Sequence, residues 1–305
     1  MMKSRIDKII ALVLISGCFA VVVHAQRHPN PTVWNSKIEI VATLPAPRNT
    51  ENIGQGDDGS FYVTSIDDVI LWKISPNGMV EKFFSDPSLA AFVGVATDKD
   101  EIVLGVFQRS YLRPGGGYHL DMSNVGSQVL ILDKNGKRKA TIDGQEGQFF
   151  NGIARAGQGV FLITDENGTA VLRLDTAEKK IRPWIKDALL DRPNGIKVHN
   201  GWVYIGCRDK IYRVQMDSHL QPKGGPELFA QGPETDDFAI APDGTMYISS
   251  DTDMWKVSPT GEVSKFLDNA PNGPSAWVTK DGKWLYWPTR LGDAPQRLLL
   301  RALLK

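Results

Sequence analysis

The sequence predicts an all-β protein built as a six-bladed β-propeller. Three observations carry this prediction: a hairpin pattern that occurs six times, two further alternating runs after most of the hairpins, and strand-like segments left over before the first hairpin and after the last. Four antiparallel strands that recur about every forty residues are typical of a propeller blade.

Each hairpin pattern consists of a short strand, a turn rich in Asp, Asn, Lys or Gly, and a second strand of β-branched and aromatic residues. The six copies are Glu51–Ser65, Val93–Phe107, Asn151–Asp165, Asn194–Cys207, Asp236–Ser250 and Ser275–Thr289. Third strands are predicted at Val69–Ile74, Val129–Leu132, Ala170–Leu174, Lys210–Val214 and Met254–Val257. Fourth strands are predicted at Val80–Phe84, Arg138–Ile142, Ile181–Ile185, Glu227–Ala230 and Val263–Leu267.

The sixth blade is incomplete in sequence order. Arg297–Leu304 supplies a third strand and no fourth strand follows it, whereas Lys37–Leu44 alternates like a fourth strand before the first hairpin. We therefore expect the N-terminal strand to complete the last blade and remove an open sheet edge. A short terminal helix over Arg297–Leu304 is the alternative, since periodicity does not decide over eight residues.

The N-terminus has the layout of a secretory signal peptide. Three basic residues precede the apolar run Ile9–Val23, and Val-His-Ala precedes Gln26, which predicts a signal peptide over residues 1–25 and one propeller domain over 26–305. Lipid attachment at Cys18 is the alternative. The protein is thus expected to be exported, either periplasmic or secreted.

The charge balance and the cysteine content bear on the classes of partner and on thiol chemistry. Lys and Arg balance Asp and Glu at 35 each, so neither nucleic acid nor, after cleavage, a membrane surface is an expected partner. Cleavage would leave Cys207 as the remaining cysteine, inside an apolar run where a buried, inert thiol is expected. The partner expected instead is a small-molecule substrate, and no pattern indicates the oligomeric state.

Oxygen donors recur at the first position of the hairpins. We call these six positions the column: Glu51, Val93, Asn151, Asn194, Asp236 and Ser275. In a propeller the innermost strands surround the central channel, so equivalent positions converge on its axis. One Glu, one Asp and two Asn suit a hard divalent cation, calcium before magnesium or manganese, and do not suit zinc. The alternative is that these are ordinary turn residues.

These residues resemble a known family. Glu51-Asn52-Ile53, Pro193-Asn194-Gly195-Ile196 and Asp236–Ile240 followed by Asp243-Gly244 are similar to motifs of the senescence marker protein, gluconolactonase and luciferin-regenerating enzyme family. The resemblance implies a six-bladed propeller that hydrolyses lactones or related esters. It also implies a cation held by Glu51, Asn151, Asn194 and Asp236, with Asp236 as base or nucleophile.

One difference from this family concerns the substrate. Sugar-lactone members of that family usually carry an Arg two residues before the third-blade Asn, where this chain has Phe149 in an apolar segment. This difference indicates a substrate that is less polar than an aldonolactone.

A long connection, Gln108–Gln128, joins the second and third strands of blade two. Strand alternation places it at the same end of the ring as the column, and long loops of this kind are often functional. We expect it to form part of a lid, with Arg113, Tyr118 or His119 facing the substrate. His119 is thereby the second candidate catalytic residue, and a solvated loop histidine is the alternative.

Two other classes of function remain compatible with the sequence. One is a non-catalytic propeller that binds a small molecule or a protein and uses the cation for structure alone. The other is a biosynthetic lyase or isomerase on the same scaffold. Propellers host unrelated functions, so the fold by itself does not choose among them.

Overall fold

The computed structural model describes residues 33–45, 49–66, 68–108, 126–289 and 297–304. These residues form 24 β-strands in six antiparallel sheets of four strands each, and the described ranges contain no helix. The predicted all-β, six-bladed propeller is confirmed. None of the described segments could cross a membrane as a helix.

The first three blades follow the chain in order. They comprise β2 (Thr50–Gln55), β3 (Phe61–Ser65), β4 (Ile70–Ile74) and β5 (Val80–Ser85); β6 (Leu89–Asp98), β7 (Glu101–Gln108), β8 (Gly126–Asp133) and β9 (Arg138–Glu146); and β10 (Phe150–Gly157), β11 (Val160–Asp165), β12 (Ala170–Asp175) and β13 (Lys180–Lys186). In each blade neighbouring strands are consecutive in sequence, as hairpin connections require.

The next three blades complete the ring. They comprise β14 (Pro193–His199), β15 (Trp202–Cys207), β16 (Lys210–Gln215) and β17 (Glu227–Gln231); β18 (Phe238–Ile240), β19 (Met246–Ser250), β20 (Asp253–Val257) and β21 (Val263–Leu267); and β22 (Trp277–Val278), β23 (Trp284–Pro288), β24 (Arg297–Leu303) and β1 (Ile38–Leu44). The first strand of each blade contacts the first strand of the next, from β2 round to β22 and back to β2. These six strands therefore surround the channel.

Blade six is closed by the N-terminal strand, as predicted. β1 pairs antiparallel with β24, from Ile38 opposite Ala302 to Leu44 opposite Arg297. The alternative of a helix over Arg297–Leu304 is wrong, because Leu299, Leu300 and Ala302 are fully buried and pair on both sides. β1 thereby gives blade six four strands like the other blades and forms its outer strand.

The hydrophobic core consists of layers between adjacent blades. Six clusters of buried residues each join two neighbouring blades, and each pair of neighbours around the ring has one. The layer between blades six and one, for example, combines Leu44 and Leu299 with Val63 and Trp72. Trp72, Trp255 and Trp284 all pack in such layers.

The turns between third and fourth strands also lie between blades. Gly78, Gly136 and Gly261 adopt positive φ values of 83°, 79° and 92°, as the Asn-Gly and Thr-Gly turns predict. An added Cβ at Gly78 would lie 3.0 Å from the carbonyl oxygen of Val41 in β1, and one at Gly136 would lie 2.9 Å from that of Phe83 in β5. Glycine thus permits both the turn and the close approach of the neighbouring blade.

Cys207 is buried at the end of β15, and burial raises the pKa of its thiol to about 12. At pH 8 only roughly one thiolate in ten thousand would then be present. We expect iodoacetamide at pH 8 to leave Cys207 unlabelled in the folded protein and to label it fully in guanidinium chloride. Mass spectrometry of the peptide that contains Cys207 measures this. Labelling of the folded protein at the rate of an exposed thiol would contradict it.

Candidate functional site

The structure places the predicted ligand positions at equivalent points of the inner strands. Glu51, Asn151 and Asn194 lie near the starts of β2, β10 and β14, and Asp236 lies two residues before β18. Glu51 and Asn151 are buried, whereas Asn194 and Asp236 are half-buried. The common register inferred from the repeat is therefore present in the backbone.

A break in strand pairing occurs at the column in four consecutive blades. The register shifts between Thr50 and Ile53 in blade one, between Phe92 and Val95 in blade two, between Phe150 and Ile153 in blade three, and between Pro193 and Ile196 in blade four. Each break spans a column residue and the residue after it. A β-bulge redirects side chains and is common beside functional sites.

Glycines bring these breaks into contact around the ring. An added Cβ at Gly152 would lie 2.5 Å from the carbonyl oxygen of Asn194, and one at Gly195 would lie 3.0 Å from that of Asp236. An added Cβ at Gly94 would overlap the carbonyl oxygen of Asn151. The column residues of blades three, four and five thus each have their backbone against the preceding blade.

Buried threonines fix the same backbone from the second strands. Thr164 Oγ1 accepts from the Gly152 N–H at 2.8 Å and donates to the carbonyl oxygen of Asn194 at 2.6 Å. Thr64 makes the equivalent pair of bonds in blade one, accepting from Asn52 and donating to Val93 at 2.7 Å. Because each hydroxyl joins two blades, the column has a defined backbone geometry.

The side chain of Asn151 is held by a buried carboxylate. Asn151 Nδ2 donates to Glu166 Oε2 at 3.0 Å, and Arg192 Nε donates to Glu166 Oε1 at 3.0 Å. Arg192 Nη2 also contacts Oε1. The hydrogen bond that Arg192 donates to Glu166 raises the pKa of the guanidinium, so Arg192 stays positively charged at ordinary pH values.

A second buried ion pair lies next to Asp236. Lys197 Nζ lies 2.6 Å from both carboxylate oxygens of Asp237, and the Asp237 side chain is 3% exposed. Burial raises the pKa of Asp237, while the Lys197 ammonium opposes that rise. Lys197 also lies over the ring of Phe238, 5.5 Å from its centroid, so the ammonium is held from two sides.

A cavity of about 190 Å³ occupies the channel beyond the column. Its lining comes from inner strands of all six blades and includes Asn52, Thr97, Arg155, Lys197 and His199. Its charged residues are partly compensated, since Arg155 pairs with Asp98 at 2.7 Å as Lys197 does with Asp237. The channel therefore has a mixed lining, in which a few polar groups lie among apolar side chains.

The donor chemistry of the column fits a hard divalent cation. Glu51 and Asp236 supply carboxylates and the two asparagines supply amide oxygens, which is the oxygen set that calcium prefers. The Oγ of Ser275, the column residue of blade six, is buried without a hydrogen-bond partner in the part of the chain described. Over that same part, no three His, Cys, Asp or Glu side chains cluster as a metal site.

The loop prediction lies mostly outside the described residues. Arg113, Tyr118 and His119 fall within residues 109–125, so the candidate catalytic role of His119 and the lid stay predictions. The described ends of the loop are Gln108 and Gly126, and Gln108 pairs with Leu89 at the start of the inner strand. These ends lie at the column end of blade two, consistent with the predicted placement.

The apolar segment before Asn151 belongs to the core. Phe150 is fully buried, and Phe149 is 8% exposed and packs on Phe107 with ring centroids 4.5 Å apart. The two rings fill space between strands, and the less polar substrate inferred from this segment remains a prediction.

Glu166, Arg192, Lys197 and Asp237 were not singled out from the sequence. Their partners come from neighbouring blades, 26 and 40 positions apart. Aligning every position of the hairpins, and not the first position alone, would have placed Lys197 and Asp237 on adjacent inner strands.

Comparison with solved structures shows the fold. A gluconolactonase from Xanthomonas campestris superposes with a TM-score of 0.63 at 13% identity, covering 87% of this chain and 89% of that one. This chain shares the six-bladed propeller fold. A luciferin-regenerating enzyme gives a TM-score of 0.61 at 11% identity, with coverages of 87% and 94%. Virginiamycin B lyase from Staphylococcus aureus gives 0.57 at 12% identity, with coverages of 88% and 99%.

Sequence comparison gives no assignment beyond this. No family model matches the chain, and no curated protein matches it. The structural neighbours include enzymes of different reaction classes, a lactonase and a lyase among them. At such identities the shared fold does not choose the reaction.

Proposed function

We propose that the protein is a metal-dependent hydrolase that acts on a lactone or a related ester. A divalent cation, calcium by preference, would be held by Glu51, Asn151, Asn194 and Asp236. When bound there, it would polarise the substrate carbonyl and stabilise the negative charge that develops on its oxygen. The substrate would be a small molecule that enters at the column end of the channel.

The protein side chains would carry the remaining steps. Asp236 is the proposed general base or nucleophile, since a carboxylate at the cation lies within reach of a coordinated carbonyl carbon. Its backbone carbonyl accepts from the Gly195 N–H at 2.9 Å, which fixes the position of the residue. Glu51 and the two asparagines would hold and orient the substrate through the cation.

The run of pairing breaks at the column is the observation that supports this proposal most. The inner strands of blades one to four all break their pairing register at the same position. The glycines that follow Val93, Asn151 and Asn194 let adjacent blades approach there. The breaks therefore include three of the four candidate oxygen donors, Glu51, Asn151 and Asn194, and β-bulges are common beside functional sites.

The test combines metal analysis with an activity assay. The purified protein is expected to contain one calcium ion per chain and to hydrolyse some of a panel of aliphatic, aromatic and sugar lactones, with activity lost in EDTA and restored by calcium. Asp236→Asn keeps an oxygen donor and is expected to lower turnover about a hundredfold, as loss of a base does. The matched control is Asp243→Asn, an exposed turn residue of the same blade.

Three outcomes would count against the proposal. Calcium without turnover on any lactone or ester would favour a binding protein or a lyase. Full activity of Asp236→Asn would remove that residue from the chemistry. If the protein bound no calcium, magnesium or manganese at millimolar concentrations, the column residues would be ordinary turn residues and not metal ligands.

A further inference from the structure

Glu166 lies between the two blades that carry the candidate asparagine ligands. It directly follows β11, its side chain is 8% exposed, and its two oxygens have different partners. Oε2 accepts from Asn151 of blade three, and Oε1 accepts from Arg192, which leads into β14 of blade four. One carboxylate therefore ties the side chain of one candidate ligand to the segment that carries the other.

The chemistry of this contact fixes the amide of Asn151. An ionised carboxylate only accepts hydrogen bonds, so the NH₂ group of the amide must face Glu166. The carbonyl oxygen Oδ1 then lies on the opposite side of the amide. A cation binds the oxygen of an amide and not its NH₂ group, so the rotamer selected by Glu166 is the one that presents a usable ligand atom.

Arg192 holds the other oxygen of the Glu166 carboxylate. Its guanidinium donates through Nε and Nη2 to the same oxygen, Oε1, and leaves Oε2 for Asn151. Arg192 adopts a positive φ of 53° immediately before Pro193 and Asn194. A non-glycine residue in this conformation costs energy that the surrounding contacts must offset.

We infer that Glu166, held by Arg192, is a positioning residue that sets the amide orientation of Asn151 for cation binding. This inference rests on the proposed metal site and adds to it a residue that does not touch the cation. Folding alone does not require this orientation. With a neutral amide as partner, Asn151 could either donate through its NH₂ group or accept through its oxygen. Ligand affinity does require it.

The experiment measures calcium binding by isothermal titration calorimetry on the whole purified protein after chelation. Glu166→Gln keeps the shape but offers an NH₂ group that can bond to Asn151 Oδ1 and reverse the amide. Calcium affinity is expected to fall tenfold or more, the usual effect of losing a residue that orients a ligand. The matched control is Glu178→Gln, since Glu178 also pairs with an arginine, Arg182, but on the exposed surface.

A reciprocal exchange separates orientation from general damage. Asn151→Asp places two carboxylates against each other and is expected to weaken binding or folding. In the double variant Asn151→Asp with Glu166→Gln, the glutamine donates to the new carboxylate, so the hydrogen bond returns in the opposite direction and an oxygen still faces the cation. We expect this double variant to bind calcium at least tenfold more tightly than Glu166→Gln.

The outcomes distinguish this inference from the proposed function. If the wild-type protein binds no divalent cation, the proposed site fails. If the wild type binds calcium and Glu166→Gln binds it equally well, the positioning role alone is overturned. Should Glu166→Gln fail to fold by circular dichroism, the double variant is compared with Asn151→Asp, and no gain in affinity from Glu166→Gln in that background would overturn the inference.

Discussion

Lys197→Met is expected to destabilise the protein by about 3–5 kcal/mol, the usual cost of removing one partner from a buried ion pair. The Asp237 side chain is 3% exposed, and Lys197 is the cation that contacts both of its oxygens. Methionine fills similar space but leaves the almost fully buried Asp237 carboxylate without its counter-charge. The free energy of unfolding in urea, with the slope of the transition, measures the loss.

Two further variants check the cause of this loss. Lys197→Met with Asp237→Asn removes both charges and is expected to recover most of the stability. Lys265→Met is the matched control, because Lys265 also lies 2.6 Å from a carboxylate, that of Asp253, but is 47% exposed. An exposed pair contributes about 0–1 kcal/mol. A Lys197→Met protein within 1 kcal/mol of the wild type would show that the channel pair does not stabilise the ring.

Gly94→Ala is expected to cost about 3 kcal/mol and to weaken cation binding at the same time. The added Cβ would overlap the carbonyl oxygen of Asn151 and lie 2.8 Å from Cγ1 of Ile153. The carbonyl belongs to the backbone of an inner strand and cannot move without shifting blade three. Overpacking of this kind typically costs about 1–3 kcal/mol, more where backbone must move. Urea unfolding and calcium titration are measured on the same preparation.

Gly225→Ala is the control for this substitution. An added Cβ at Gly225 would meet one atom, Asp187 Oδ2, at 4.0 Å, and the backbone there is not in the left-handed region. Alanine at such a position is neutral or slightly stabilising because it restricts the unfolded chain. If Gly94→Ala and Gly225→Ala had equal stability, the close approach of blades two and three would not be a constraint.

Most of the fold was predictable because each blade repeats a local pattern. Alternation and turn residues located the hairpins and the closure of blade six, since both signals depend on neighbours in sequence. The starts of the inner strands were less predictable. β6 begins at Leu89, four residues before the predicted hairpin, whereas β22 contains only Trp277 and Val278. The inner strands contact those of the neighbouring blades, and alternation in the sequence does not reveal these contacts.

The candidate site was predictable only in its register. The equivalence of Glu51, Asn151, Asn194 and Asp236 follows from aligning the repeats. The breaks in pairing did not follow, because nothing in a local pattern distinguishes a bulge from a regular strand start. Two ion pairs join different blades, that of Glu166 with Arg192 and that of Lys197 with Asp237. In the sequence alone, nothing distinguishes these four charged residues from ordinary surface residues.

The pairing of β1 with β24 has a consequence for how the chain folds as it is synthesised. Ile38 cannot form its native strand pair until Ala302 of β24 has been synthesised. At about 5–20 residues per second, translation takes roughly 10–50 s to cover that interval. During this time β1 lacks its hydrogen-bonding partner β24, and Leu44 can pack only on the blade-one side of its final layer, against Val63 and Trp72. This interval is when pairing with another chain competes with ring closure.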